Sequence, residues 1–217
     1  MSISLNEFVK LLLITDNSFE KKLKRISTIK TLIMGAREFS GRNLKTGIYE
    51  QKDLNEYDFI NEFFETKRFN GLLLYLILLE ILGSIFQSKG TICSKHGIER
   101  ALILFSEKIK GDAILAISYL RHSLVHRYSL CTESKGKEKS FKFKLNWSKD
   151  EKIIEIPNIR WSGDFNQSDE ETYTVIYVEN LIDEIEFIYS QAIFKLNKNL
   201  IKVAISMDEL NSRYTII

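Results

Sequence analysis

A single proline, Pro157, punctuates the whole chain of 217 residues, and only ten glycines join it. So little helix-breaking chemistry excludes collagen-like and low-complexity classes and predicts long helices joined by short polar turns. Cysteine is nearly as scarce: Cys93 and Cys131 have neither metal-ligand spacing nor the pattern of a disulfide framework, which fits a reducing cytoplasm. No apolar run reaches the roughly 20 residues of a membrane span. Gly71 to Phe86 comes nearest, but it carries Glu80 and reads as a buried helix. Phe8 to Ile14 contains Lys10 and is followed by no small-residue cleavage site, so it does not read as a signal peptide, and no membrane partner is expected. Charge of one sign is lacking too. Against 29 Asp and Glu stand 31 Lys and Arg, a net +2, which permits an anionic partner without demanding one.

Some chemical signatures are also missing. There is no phosphate-cradling glycine loop and no serine nucleophile elbow, so ATP use and acyl transfer have no support. Glu62, Glu65 and Glu80 lack the His at i+3 that a bundle di-metal site uses, so no metal and no other cofactor is expected.

What is present is a core-forming composition, 44% hydrophobic and 28% charged, patterned mostly at helical period. Ser4 with Glu7, Asn17 with Glu20 and Asp53 with Glu56 have capping-box spacing. From Asn17, Phe19, Leu23, Ile26, Ile29 and Ile33 predict one helix that stops at Gly35 and exposes a basic face. A helix from about Asp53 and another through the apolar run to Ser88 can form one rod. Gly97 to Ile109 and Ala113 to Tyr128 follow, the second with Asp112 as its cap and Ile114, Ile117, Leu120 and Leu124 as its stripe. The period then changes. Phe141, Phe143, Leu145 and Trp147 alternate with Lys142, Lys144 and Asn146, a half-buried strand that Ile153 to Ile156 can pair with, and Tyr173 to Val178 is a third strand. A long helix from Asn180 to about Leu200 closes the pattern. The expected fold is mainly α, a helical bundle in one domain, 1–217, with a small antiparallel sheet inserted at about 138–178.

Of three histidines, His122 and His126 share one stretch, Arg121-His122-Ser123-Leu124-Val125-His126-Arg127-Tyr128. On a helix the two imidazoles lie on one face, while Arg121 and Tyr128 continue the apolar stripe. An arginine at a core position is normally there to meet a carboxylate, a phosphate or a symmetry mate, because it cannot shed its charge. Imidazole titrates near neutrality, so His126 suits a general base or acid, with His122 as a second proton-transfer or positioning group. Lys142, Lys144 and Arg127 are candidate RNA-backbone contacts, with Phe141 and Phe143 assigned to the core face of the strand. His96 and Cys93 read as ordinary structural residues.

Arg121, polar His122 and His126 after three further residues resemble the Arg-polar-x3-His motif of HEPN domains, and Arg127-Tyr128 extends the likeness to HEPN toxins paired with nucleotidyltransferase antitoxins. The resemblance covers eight residues; the sheet and the long last helix lie outside the minimal fold of that family. It implies an up-and-down HEPN-like bundle, a homodimer with two motifs facing one cleft, and a metal-independent endoribonuclease of a toxin or phage-defence kind. It also implies Arg121, His122 and His126 as the catalytic set, and Tyr128 as the acceptor of inhibitory nucleotide transfer. The alternative function is a non-catalytic HEPN-like module that binds RNA or a protein partner.

Overall fold

The computed structural model describes residues 3–50, 58–90, 96–132, 140–166 and 170–216, with the backbone alone between 58 and 65. Helices account for 56% of the described residues and the sheets are small, so the protein is mainly helical. It divides into two compact units, Met1–Phe105 with Glu186–Ile217, and Ser106–Ile185. The Arg121–Tyr128 stretch and the largest sheet fall in the second unit.

In the first unit, α1 (Leu5–Leu13) opens on Ser4, whose hydroxyl accepts from the Glu7 amide, and buries Phe8, Val9, Leu12 and Leu13. The single helix expected from Asn17 to Gly35 is instead two. The first, α2 (Ser18–Leu23), stops where Lys24 turns left-handed at φ 55°. The strand β1 (Ile26–Ser27) then pairs antiparallel with Thr215 and Ile216, leaving Ile26 exposed rather than on a core stripe. Ser27 caps the next helix, α3 (Thr28–Phe39), by accepting from the Lys30 amide at 3.2 Å, and α3 runs through Gly35. Asn17 makes no cap hydrogen bond; its carboxamide oxygen accepts from Lys30 Nζ at 2.8 Å.

The rod α4 (Asp58–Ile85) is one helix, and its proposed Asp53–Glu56 cap lies outside the described residues. Among the described residues, only Thr66–Ile85 has the length and mean hydropathy, 1.6, of a membrane span. Its Leu72, Tyr75, Leu76, Leu78, Leu79 and Leu82 are fully buried. After β2 (Phe86–Gln87) comes α5 (Gly97–Phe105), against which α4 packs closely: a Cβ on Gly83 would sit 1.6 Å from the Gly97 carbonyl oxygen.

The second unit holds α6 (Asp112–Arg127), β3 (Cys131–Thr132), β4 (Phe141–Asn146), β5 (Ile154–Glu155), a 3-10 turn at Glu170–Thr172, β6 (Tyr173–Tyr177) and the first part of α7 (Val178–Asn197). Asp112 is not the cap of α6; Gly111 is, and the Asp112 carboxylate pairs with Arg160 at 2.6 Å. The sheet, ordered β3-β4-β6-β5, is mixed rather than antiparallel, because β4 and β6 run parallel. β5 pairs with β6, not with β4 across a hairpin. The reason lies in the turn. Asn146 and Asp150 side chains accept from the amides of Ser148, Glu151 and Lys152, curling the chain away from β4. Asn180 then donates to the carbonyls of Asp150 and Lys152, tying the chain ahead of β5 to the start of α7.

The first unit is completed by the rest of α7, by β7 (Lys202–Val203) paired with β2, by α8 (Met207–Tyr214) and by β8 (Thr215–Ile216) paired with β1. Inside it Arg37, 4% exposed, grips Glu186 with two hydrogen bonds of 2.8 and 2.7 Å, and Tyr75 donates to the same carboxylate at 2.6 Å. Burial alone would lower the Arg37 pKa, but Glu186 outweighs it and the net shift is upward. Burial, then Glu186, pushes Tyr75 far up, so it stays a donor. Gly47, at φ +72°, lets the loop close over this pair: a Cβ there would meet the Glu186 carboxyl carbon at 2.4 Å.

Candidate functional site

The site is the C-terminal end of α6. Ala116, Ile117, Leu120, Ser123 and Leu124 form its buried face, and Tyr119 stacks on Phe141 of β4 with ring centroids 5.3 Å apart. Phe141 and Phe143 are buried on that side of the sheet, as the alternation predicted. Arg121 is half-buried beside this stripe, whereas His122, His126, Arg127 and Tyr128 are exposed.

Arg121 Nη1 lies 3.0 Å from His126 Nε2. A guanidinium only donates, so Nε2 is the acceptor and the imidazole proton sits on Nδ1. The second imidazole, His122, lies one turn back with its ring centroid 4.9 Å from that of His126. Burial first, and then the charges of His126, Arg127 and Arg121, hold the His122 pKa below the usual histidine range. Arg121 and Arg127 thus give a helix end of positive charge, favoured by the carbonyl pole of the helix dipole, with the two imidazoles beside them.

Tyr128 departs from the expected stripe. The helix stops at Arg127, and Tyr128 adopts the left-handed conformation at φ 50° and ψ 42°, which turns its ring out until it is 66% exposed. Glycine ordinarily fills this place, and a tyrosine there costs about 1 kcal/mol. The turn is held from both sides. The Tyr128 and Ser129 amides donate to the carbonyls of Leu124 and Ser123 at 3.1 and 3.3 Å. The Ser123 hydroxyl, fully buried, reaches the carbonyls of Ser129 and Cys131 at 2.7 Å each. Ser123 is the residue that sequence reasoning passed over. Its signal was there, a small hydroxyl on the buried side of a helix end, but it looked like a spacer inside the motif.

Of the candidate RNA contacts, Lys142 and Lys144 are not part of this helix end. In the β4–β6 register Lys142 and Lys144 share the sheet face that carries Tyr173 and Val175, opposite Phe141 and Phe143. Lys144 is exposed, and the Lys142 ammonium sits 4.5 Å from the Tyr173 ring centroid. Arg127 is exposed at the end of α6. His96 is exposed just before α5, and Cys93 lies outside the described residues. Among the described residues no group of three or more His, Cys, Asp or Glu is placed to hold a metal ion. Comparison with protein-family models, curated proteins and solved structures finds no match to this chain.

Proposed function

We propose that this protein is a HEPN-type, metal-independent endoribonuclease that acts as a homodimer, in the manner of a toxin or phage-defence effector. The observation that carries the reading is the 3.0 Å contact of Arg121 with His126 at an exposed helix end. It places a permanent cation beside an imidazole lone pair, which are the two groups that attack of a 2′-hydroxyl on phosphorus requires. A phosphate oxygen of the RNA displaces the imidazole from Arg121, and the guanidinium then holds the charge growing on the non-bridging oxygens. The freed Nε2 takes the 2′-hydroxyl proton as the new O–P bond forms. The bond to the 5′-oxygen breaks and that oxygen is protonated, leaving a 2′,3′-cyclic phosphate and a 5′-hydroxyl.

The acid for the second proton is the His126 of the other protomer, which enters the step as an imidazolium, its Nε2 released from Arg121 and carrying the proton that the 5′-oxygen takes. His122 is ill suited to carry that proton into the step, because partial desolvation and its cationic neighbours disfavour its protonated form; it serves instead to position the RNA backbone. Arg127, Lys142 and Lys144 supply further phosphate contacts, and nucleotide transfer to Tyr128 by a nucleotidyltransferase antitoxin silences the enzyme. A second reading, an RNA-binding module without turnover, draws on the Lys142, Lys144 and Tyr173 sheet face. The experiment that separates them is cleavage of single-stranded RNA in EDTA by the wild-type protein, Arg121→Ala and His126→Ala, each checked for folding by circular dichroism. Loss of cleavage in both variants supports the enzyme; salt-sensitive binding with no cleavage by the wild type supports the module.

A further inference from the structure

The proposed cleavage step leaves the Tyr128 ring unused, although the fold holds it in place at a cost. A bulky side chain in the left-handed region is retained only where the surroundings over-determine it. Here the backbone of the turn is fixed by the amides of Tyr128 and Ser129 and by the buried Ser123 hydroxyl. The result is a large flat ring, 66% exposed, on a fixed backbone two residues beyond His126. A ring with two side-chain torsions on such a turn loses little freedom when a flat ligand lands on it. Arg121, Arg127 and the two imidazoles nearby disfavour a cationic ligand and favour one that joins a phosphate to a flat face. A nucleotide is such a ligand.

Resting on the ribonuclease reading, we infer that the Ser123-pinned turn presents Tyr128 as a stacking platform for the nucleobase next to the scissile phosphate. Every base has a π-face, so the platform selects for unpaired RNA rather than for a sequence. Tyr128 thereby becomes a residue that sets KM for single-stranded substrate.

The test uses a DNA strand carrying one ribonucleotide, so that the cleaved bond is known, and versions with an abasic nucleotide on its 5′ or 3′ side. Tyr128→Ala is expected to raise KM for the intact strand about tenfold, equivalent to about 1.4 kcal/mol, with the smaller share of the loss in kcat. Tyr128→Phe, which keeps the ring, restores KM to within about twofold. On one of the two abasic strands the wild type and Tyr128→Ala have equal KM, because the stacking partner is gone. The inference is overturned if KM is unchanged in Tyr128→Ala, if Tyr128→Phe is as poor as Tyr128→Ala, or if the alanine effect persists on both abasic strands. No cleavage of any strand by the wild-type protein overturns the ribonuclease reading itself, whereas wild-type cleavage with no Tyr128 effect removes only the platform.

Discussion

Replacing Ser123 by alanine removes one oxygen from the fully buried side of α6 and unties the turn that follows it. The hydroxyl proton is shared between two carbonyls at 2.7 Å, so one hydrogen bond's worth of net stability is lost, about 1 kcal/mol. The carbonyls left behind add about 1 kcal/mol, at the low end of the usual penalty, because Ser129 Oγ still reaches the Cys131 oxygen at 3.2 Å. Alanine's better helix propensity offsets roughly 0.5 kcal/mol. The net expectation is a loss of about 1.5 kcal/mol in urea unfolding, together with faster hydrogen exchange at the Tyr128 and Ser129 amides. A loss below about 0.5 kcal/mol with unchanged exchange at those two amides would refute the idea that Ser123 holds the turn.

In the first unit, Glu186→Ala leaves the Arg37 guanidinium buried without its bidentate carboxylate, and urea unfolding should show a loss of about 3–5 kcal/mol. A change below about 1 kcal/mol would mean that water reaches Arg37 and replaces the carboxylate. His122 should titrate below the ordinary histidine range when followed by imidazole proton NMR, and His126→Ala should move it back upward. Because its folded pKa lies under its unfolded one, the unfolded chain binds more protons between the two values. His122 therefore contributes stability that is present above the ordinary range and lost as pH falls through its folded pKa. An His122 titration at or above the ordinary range would contradict the assigned burial and charge effects.

Much of the fold was legible where a single period dominates. α6 and β4 follow from apolar residues at helical spacing and from Phe141 and Phe143 alternating with lysines. The break at Lys24 was not legible, because Phe19, Leu23, Ile29 and Ile33 keep helical spacing across it. What interrupts the helix is a left-handed lysine and a pairing with residues near the other end of the chain, Ile26 with Ile216. The parallel β4–β6 pair was equally hidden, since it depends on where Asn146, Asp150 and Asn180 send the intervening chain.

At the candidate site, the i, i+4 spacing correctly placed both imidazoles on one face, and the histidine and arginine side chains meet there. The outward turn of Tyr128 could not be read from spacing, because helical periodicity carries no information past the last helical residue. Glu186 carries no motif or spacing that marks it in the sequence, and only the fold shows it facing Arg37 and Tyr75.

The most direct measurement is the chemistry of the RNA ends made in EDTA. The wild-type protein should leave 2′,3′-cyclic phosphate and 5′-hydroxyl ends, identified by mass spectrometry. His126→Ala should cut the rate by about 100-fold or more, the usual contribution of a positioned proton-transfer group, and Arg121→Ala should also lose most of it. Cleavage that stops in EDTA, products ending in 3′-hydroxyls, or full activity in both folded variants would contradict the assignment of Arg121 and His126 as the reacting pair.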